Sequence, residues 1–191
     1  MELNIRLLKA AALAVSKEET RYYLKGVAVQ ADAKGAYLIA TDGHRLLAFC
    51  QSRECYGGEP VNIIIPADIV AGIKLNKHVE IAELTQESAT HWRLDYVGTS
   101  VIFAPIDGTF PDWRRIIPKE TDGKPAQFNP AYVGYFAKVT KALGQGQTAF
   151  AYNGDGPALV TFGDDIDGFG VLMPMRINRE IPTRAPAWAT V

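Results

Sequence analysis

Few residues in this 191-residue chain have types and spacings that could carry out a reaction. The three histidines, His44, His78 and His91, are too scattered for a metal-ligand set, and no nucleophile sits beside a base that would activate it. No glycine-rich phosphate loop follows a strand-like run. Asp164, Asp165 and Asp167 in GDDIDG resemble a calcium loop only loosely and read as an acidic turn. Cys50 and Cys55, in CQSREC, lack the second ligand pair of a structural zinc site and would form a disulfide only in an oxidising compartment. Both read as ordinary thiols. The expectation is a non-enzyme with no catalytic residue, no cofactor and no metal.

Residues suited to recognition are better placed. Thr41-Asp42-Gly43 is a turn signal that presents two donors, His44 and Arg45. Met173 and Met175 supply flexible thioethers that mould to varied apolar partners. Taken alone, the first group is a hairpin turn with solvated side chains, and the methionines fill gaps along a buried edge strand.

The elements that must position these residues follow from periodicity. Leu3 to Ile5 reads as a strand, Leu7 to Lys17 as a helix, and Tyr22–Gln30, Ala36–Ala40 and Leu46–Cys50 as strands. From Val61 the pattern repeats: a strand at Asn62–Ile65, a helix from Pro66 to Leu75, then strands at Val79–Leu84, Thr90–Tyr96 and Thr99–Phe103. A third round has a strand at Ala126–Phe128, Asn129 as cap, Pro130 at the first helical position and a helix to Leu143. Strands at Thr148–Tyr152, Ala158–Gly163 and Gly168–Met173 complete it. Strand, helix and three strands, three times over, predicts an α+β protein built from repeats, each helix needing a sheet to cover it.

A chain of this length with 48% hydrophobic residues buries roughly 70% of its unfolded surface. Net charge −1 argues against coating nucleic acid by charge alone but allows a basic stripe on an acidic body. Charges at Glu2, Arg6 and Lys9 interrupt the N-terminal segment where a secretory signal would be apolar, so a cytoplasmic, non-membrane protein is expected.

Three segments, TRYYLKGV with IATDGHRLL, DGTFPDWRRIIP, and GVLMPMRI, together resemble the bacterial sliding clamp family, the beta subunit of DNA polymerase III, over about Met1 to Ile177. The resemblance implies a DNA clamp (processivity-factor) fold, with antiparallel sheets outside and helices inside. Residues 1–118 then correspond to a complete clamp domain of two units, 1–56 and 60–118. Residues 124–177 correspond to half of another, and 178–191 form a tail without counterpart. It also implies a pocket for short peptides of polymerase and clamp loader. Carried over by position, that pocket comprises Arg21, Leu24, Thr41, Gly43, His44, Arg45, Leu46, Pro111, Arg115, Ile116, Asn129, Tyr132, Val171, Leu172, Met173, Pro174, Met175 and Arg176.

Contact with duplex DNA, independent of base sequence, is implied for Arg6, Lys9, Lys17, Lys74, Lys77, Lys138 and Lys141, on or beside the three predicted helices. Basic residues on helices are equally ordinary solvated faces. The family ring needs more units than this chain holds, which implies a homo-oligomer, a tetramer or a dimer. The resulting expectation is a replication processivity factor that binds client peptides and encircles DNA. The alternative is a clamp-derived adaptor or decoy that binds clients without encircling it.

Overall fold

The computed structural model describes residues 1–52, 58–74, 80–176 and 185. Its chain begins with strand β1 (Glu2–Asn4) and helix α1 (Ile5–Ala11), whose first turn is capped by Asn4 Oδ1 accepting from Leu7 N at 3.1 Å. A 3-10 turn at Ala12–Ala14 ends the helix before the expected Lys17. Val15 is already extended, and Ser16 N donates to Leu24 O at 2.9 Å, which takes the chain out of the helix. Residues Glu19–Leu24 form 3-10 turns, so the strand expected from Tyr22 starts only at Gly26, as β2 (Gly26–Asp32). Strands β3 (Gly35–Thr41) and β4 (Arg45–Ser52) follow across the two predicted turns.

The second unit has β5 (Val61–Pro66), α2 (Ala67–Gly72), β6 (Ile81–Gln86), β7 (Trp92–Tyr96) and β8 (Thr99–Phe103). Pro66 closes the strand and sits at the helix cap, one position before the predicted place. Ile73 is already extended, so the helix is shorter than predicted, and the predicted end at Leu75 and strand start at Val79 lie outside the described residues. The third unit has α3 (Pro130–Ala142), β9 (Ala149–Ala151), β10 (Ala158–Thr161) and β11 (Gly168–Leu172). Asn129 caps α3 as predicted, its Oδ1 accepting from Ala131 N at 3.0 Å.

The first two units trade strands. β1 pairs antiparallel with β6, and β5 pairs antiparallel with β2, so each sheet contains a strand from the other unit. The sheets run β1-β6-β7-β8 and β5-β2-β3-β4-β11-β10-β9, the third unit extending the second of them through an antiparallel β4–β11 ladder. The predicted strand at Ala126–Phe128 is not formed, and among the described residues no strand of another unit is exchanged with the third. The segment crosses the end of the third unit instead, with Gly123 N donating to Tyr152 O (2.9 Å), Met175 N to Gln127 O (2.6 Å) and Phe128 stacked on Tyr152.

Alternation along β2, β3 and β4 places Val27, Val29, Leu38, Ala40, Leu47 and Phe49 in the main core under the helices. Their neighbours Ala28, Ile39, Leu46 and Ala48 form a second cluster on the opposite face with Phe110, Trp113 and Val171. The segment after β8 supplies that cover, and Trp113 Nε1 donates to Gln30 Oε1 at 3.0 Å to hold it down. Burial on both faces is why these strands read as nearly continuous apolar runs. No helix among the described residues is long and apolar enough to cross a membrane.

Candidate peptide-binding site

Where β4 meets β11, a cavity of about 280 Å³ opens on the outer face. Leu24, Leu46 and Val171, all buried, form an apolar floor, while Ile116 and Met173 stand half-exposed at the rim. Polar groups come from Arg21, Thr41, Arg45 and Asp112. The lining is drawn from four stretches far apart in sequence: the 3-10 turns before β2, the β3–β4 turn, the cover segment and the end of β11. Ten predicted pocket residues meet here, namely Arg21, Leu24, Thr41, Gly43, Arg45, Leu46, Pro111, Ile116, Val171 and Met173.

The β3–β4 turn is built by its own side chains. Asp42 Oδ1 accepts from His44 N (2.9 Å) and Arg45 N (3.0 Å), and Thr41 Oγ1 accepts from Gly43 N (3.0 Å) and donates to Arg45 O (2.7 Å). Gly43 has φ +90°, a region closed to most side chains, and Arg21 lies where a Cβ would project. Arg21 Nη1 in turn donates to Asp42 O at 3.4 Å.

Arg45 divides this cavity from a second one of about 430 Å³, behind it, between α3 and the end of the first helical segment. Although only 7% exposed, its guanidinium is well compensated: Nε donates to Asp42 Oδ2 at 3.1 Å, Nη2 to Leu13 O at 3.3 Å, and the carbon lies 3.6 Å from the Tyr135 ring centroid and 5.1 Å from that of Tyr132. Its Nη1 is buried with no hydrogen-bond partner among the described residues. His44 and Tyr132 line this second cavity and stack with centroids 5.6 Å apart. Burial, reinforced by the Asp42 carboxylate, pushes the Tyr132 phenol above its ordinary range, so it stays a neutral hydroxyl.

The remaining predicted residues fall into different places. Leu172 is fully buried in the main core, because adjacent strand residues point to opposite faces and Val171 takes the pocket side. Arg115 is exposed and outside both cavities. Asn129 is occupied as the α3 cap. Pro174, Met175 and Arg176 continue beyond β11 past the cavity; Met173 N donates to His44 O at 2.9 Å, which ties this strap to the turn. Sequence reasoning missed Tyr23, Asp112 and Trp113 in the first cavity, although all three lie within the segments that carried the resemblance. It also missed Glu18, Asp42 and Tyr135 in the second.

The basic residues are less uniform than their sequence positions imply. Lys9 is engaged structurally: its Nζ donates to Ile73 O (2.5 Å) and Val70 O (3.4 Å), capping the end of α2. Desolvation lowers its pKa, which makes it a poor candidate for a phosphate contact. Arg6 is exposed but ion-paired with Glu80. Lys17 lies beyond the helix and lines the second cavity, and Lys74 is exposed just after α2. Lys138 and Lys141 are exposed on α3, while Lys77 lies outside the described residues. Among the described residues no His, Cys, Asp and Glu side chains cluster as a metal site would need. Asp164 and Asp165 are exposed in the β10–β11 turn, and His78 and Cys55 lie outside the described residues.

The family model for the DNA polymerase III beta subunit, central domain, matches residues 2–112, more than half of the chain. A beta sliding clamp of Caulobacter vibrioides is 36% identical over 123 residues, covering 61% of this chain and 32% of its own length. That of Escherichia coli K12 is 30% identical with the same coverage. The chain therefore spans about a third of the length of these curated relatives. Among solved structures, the Bacillus subtilis DNA polymerase sliding clamp superposes with a TM-score of 0.76 at 18% identity, covering 93% of this chain and 64% of that one. The Caulobacter crescentus clamp gives 0.71 at 22% identity, covering 93% and 65%. These superpositions establish the clamp fold, with antiparallel sheets on one side and helices on the other.

Proposed function

The chain belongs to the DNA polymerase III beta subunit family, and from that premise we propose that it is a shortened sliding-clamp processivity factor whose outer cavity binds short linear peptides of polymerase and clamp loader. Membership of this family makes it a non-catalytic protein, as the sequence analysis expected. The observation that carries the reading is the convergence of four distant stretches on one apolar cavity edged by donors. An extended peptide with leucine or phenylalanine anchors would bury them against Leu24, Leu46 and Val171, with Met173 closing over the top. Arg21 and Arg45, both lining the cavity, would donate to peptide carbonyls or to a glutamine amide oxygen.

We assign residues 1–118 as a complete clamp domain and 124–177 as half of another, and place the working protein in the cytoplasm as a homo-oligomer around duplex DNA. Lys138 and Lys141 on α3, with Lys74, are the basic residues most available for phosphate contact. Binding of a fluorescent clamp-binding peptide tests the pocket. Met173→Ala is expected to weaken it by about 1–2 kcal/mol, and His44→Ala, acting from the second cavity, by less. Unchanged affinity in both removes the pocket assignment. Retention on a nicked circular plasmid, followed by linearisation, tests encirclement: topological binding is lost on cutting.

A further inference from the structure

Among the described residues, four strands end the two sheets: β1 and β8 in one, β5 and β9 in the other. Three of them carry features that discourage pairing with another chain. β1 has only three residues and includes Glu2, β5 runs into Pro66, and β9 has only three residues, the carbonyl just beyond it taken by Gly123. β8 has no such protection. Thr99-Ser100-Val101-Ile102-Phe103 contains no charge, no proline and no bulge, and Ile102, 61% exposed, is the most exposed large hydrophobic side chain among the described residues.

The geometry of the hairpin fixes which groups face outward. β7 and β8 are joined by Val97 (φ 40°) and Gly98 (φ 69°), a two-residue turn flanked by the Tyr96–Thr99 pair. In such a hairpin the flanking residues exchange the first closely spaced bonds and every second pair does so thereafter. Val101 and Phe103 therefore bond inward to β7, while the N–H and C=O of Ser100 and Ile102 point along the free edge. No backbone hydrogen bond reaches them among the described residues.

The chain already shows how an edge in this position is closed. β4, the last strand of the first unit, pairs antiparallel with β11, the last strand of the third. β8 is the last strand of the second unit and has no equivalent neighbour among the described residues. We propose that β8 pairs antiparallel with β8 of a second copy, across a twofold axis at Val101. In this register Ser100 lies opposite Ile102 of the second copy, and both outward residues of each strand exchange bonds. Centring on Ser100 or Ile102 would satisfy only one of them per strand. The exposed face is complementary too: Arg93 lies beside Ile102 and Asp95 beside Ser100 within the hairpin. Each row across the junction would run Arg93, Ile102, then Ser100 and Asp95 of the second copy, with no like charges adjacent. The surface is separate from the peptide cavity, so this inference stands or falls independently of the peptide reading.

The test is sedimentation of the full chain with a cross-linking arm. Wild type is expected to dimerise at about 100 µM or below, and Ile102→Lys to weaken the dimer at least about tenfold while peptide binding is retained as a control for folding. Val101→Cys places two thiols at a widely spaced antiparallel pair, with Cα atoms about 4.5 Å apart, and mild oxidation should give a covalent dimer that wild type, with Cys50 and Cys55, does not. A monomeric wild type, an Ile102→Lys dimer as tight as wild type, or no extra cross-linking in the Val101→Cys variant each overturns the proposal. A chain ending at residue 176 that dimerises while the full chain does not would assign the edge to the tail, and overturns it as well.

Discussion

The first two units and the third are held in different ways. Units one and two each lend the other a strand, so neither sheet is complete without the other's chain. Among the described residues the third unit borrows no strand: it adds the β4–β11 ladder and packs α3 beside α1. Burial follows the difference. β3 is buried at nearly every position, whereas β9 has no buried residue and the α3 face bearing Val133, Gly134 and Ala137 is exposed. A repeat unit can thus be rooted through strand exchange or merely appended by edge pairing, and the candidate site sits at the appended junction, where two surfaces can supply walls that neither holds alone.

The sharpest way to break this contrast is at the shared aromatic contact. Phe49 on β4 is fully buried, with its ring 6.0 Å from that of Phe162 in the third unit. Phe49→Ala should cost about 3–5 kcal/mol in urea unfolding. If the third unit is as dependent on the first as the packing suggests, far-ultraviolet and aromatic signals will be lost in one transition. Separate transitions would show the third unit to be autonomous. Asn129→Ala removes only the α3 cap and should cost about 1 kcal/mol, with exchange of the α3 amides accelerated and that of β2 and β3 unaffected. Lys9→Ala tests the rooted pair, and the expected loss is smaller, about 0.5 kcal/mol, because exchanged strands hold α1 and α2 together without it. DNA affinity should stay unchanged in that variant; a marked loss would return Lys9 to the DNA-contacting set.

What could be read from sequence divides along a similar line. Features fixed by neighbouring residues were legible: the Asp42-Gly43 turn, the Asn129-Pro130 start of α3 and the β7–β8 hairpin all lie where local chemistry puts them. Features that depend on distant partners were not. The strand predicted at Ala126–Phe128 needs an acceptor sheet, the helix predicted to Lys17 is cut short by Leu24 O, and Lys9 caps a carbonyl 64 positions away. In the site, family resemblance located the right stretches but not the orientation of each side chain. Strand alternation alone would have separated Val171 from Leu172, and the apolar Trp113 in FPDWRR signalled a cover over the sheet.

Strand exchange also sets an order of events in folding. Residues 2–4 find their ladder only in residues 81–83, and the Met1 nitrogen donates to Leu84 O, 83 positions along the chain. α1 can begin to form from its own cap, but the strand leading into it has no ladder partner until β6 has been made and delivered. Closure of that long loop is therefore a late, entropically costly step. During synthesis the earliest of these residues wait longest, and a chain released before β6 would hold an unpaired strand that any passing sheet edge could capture.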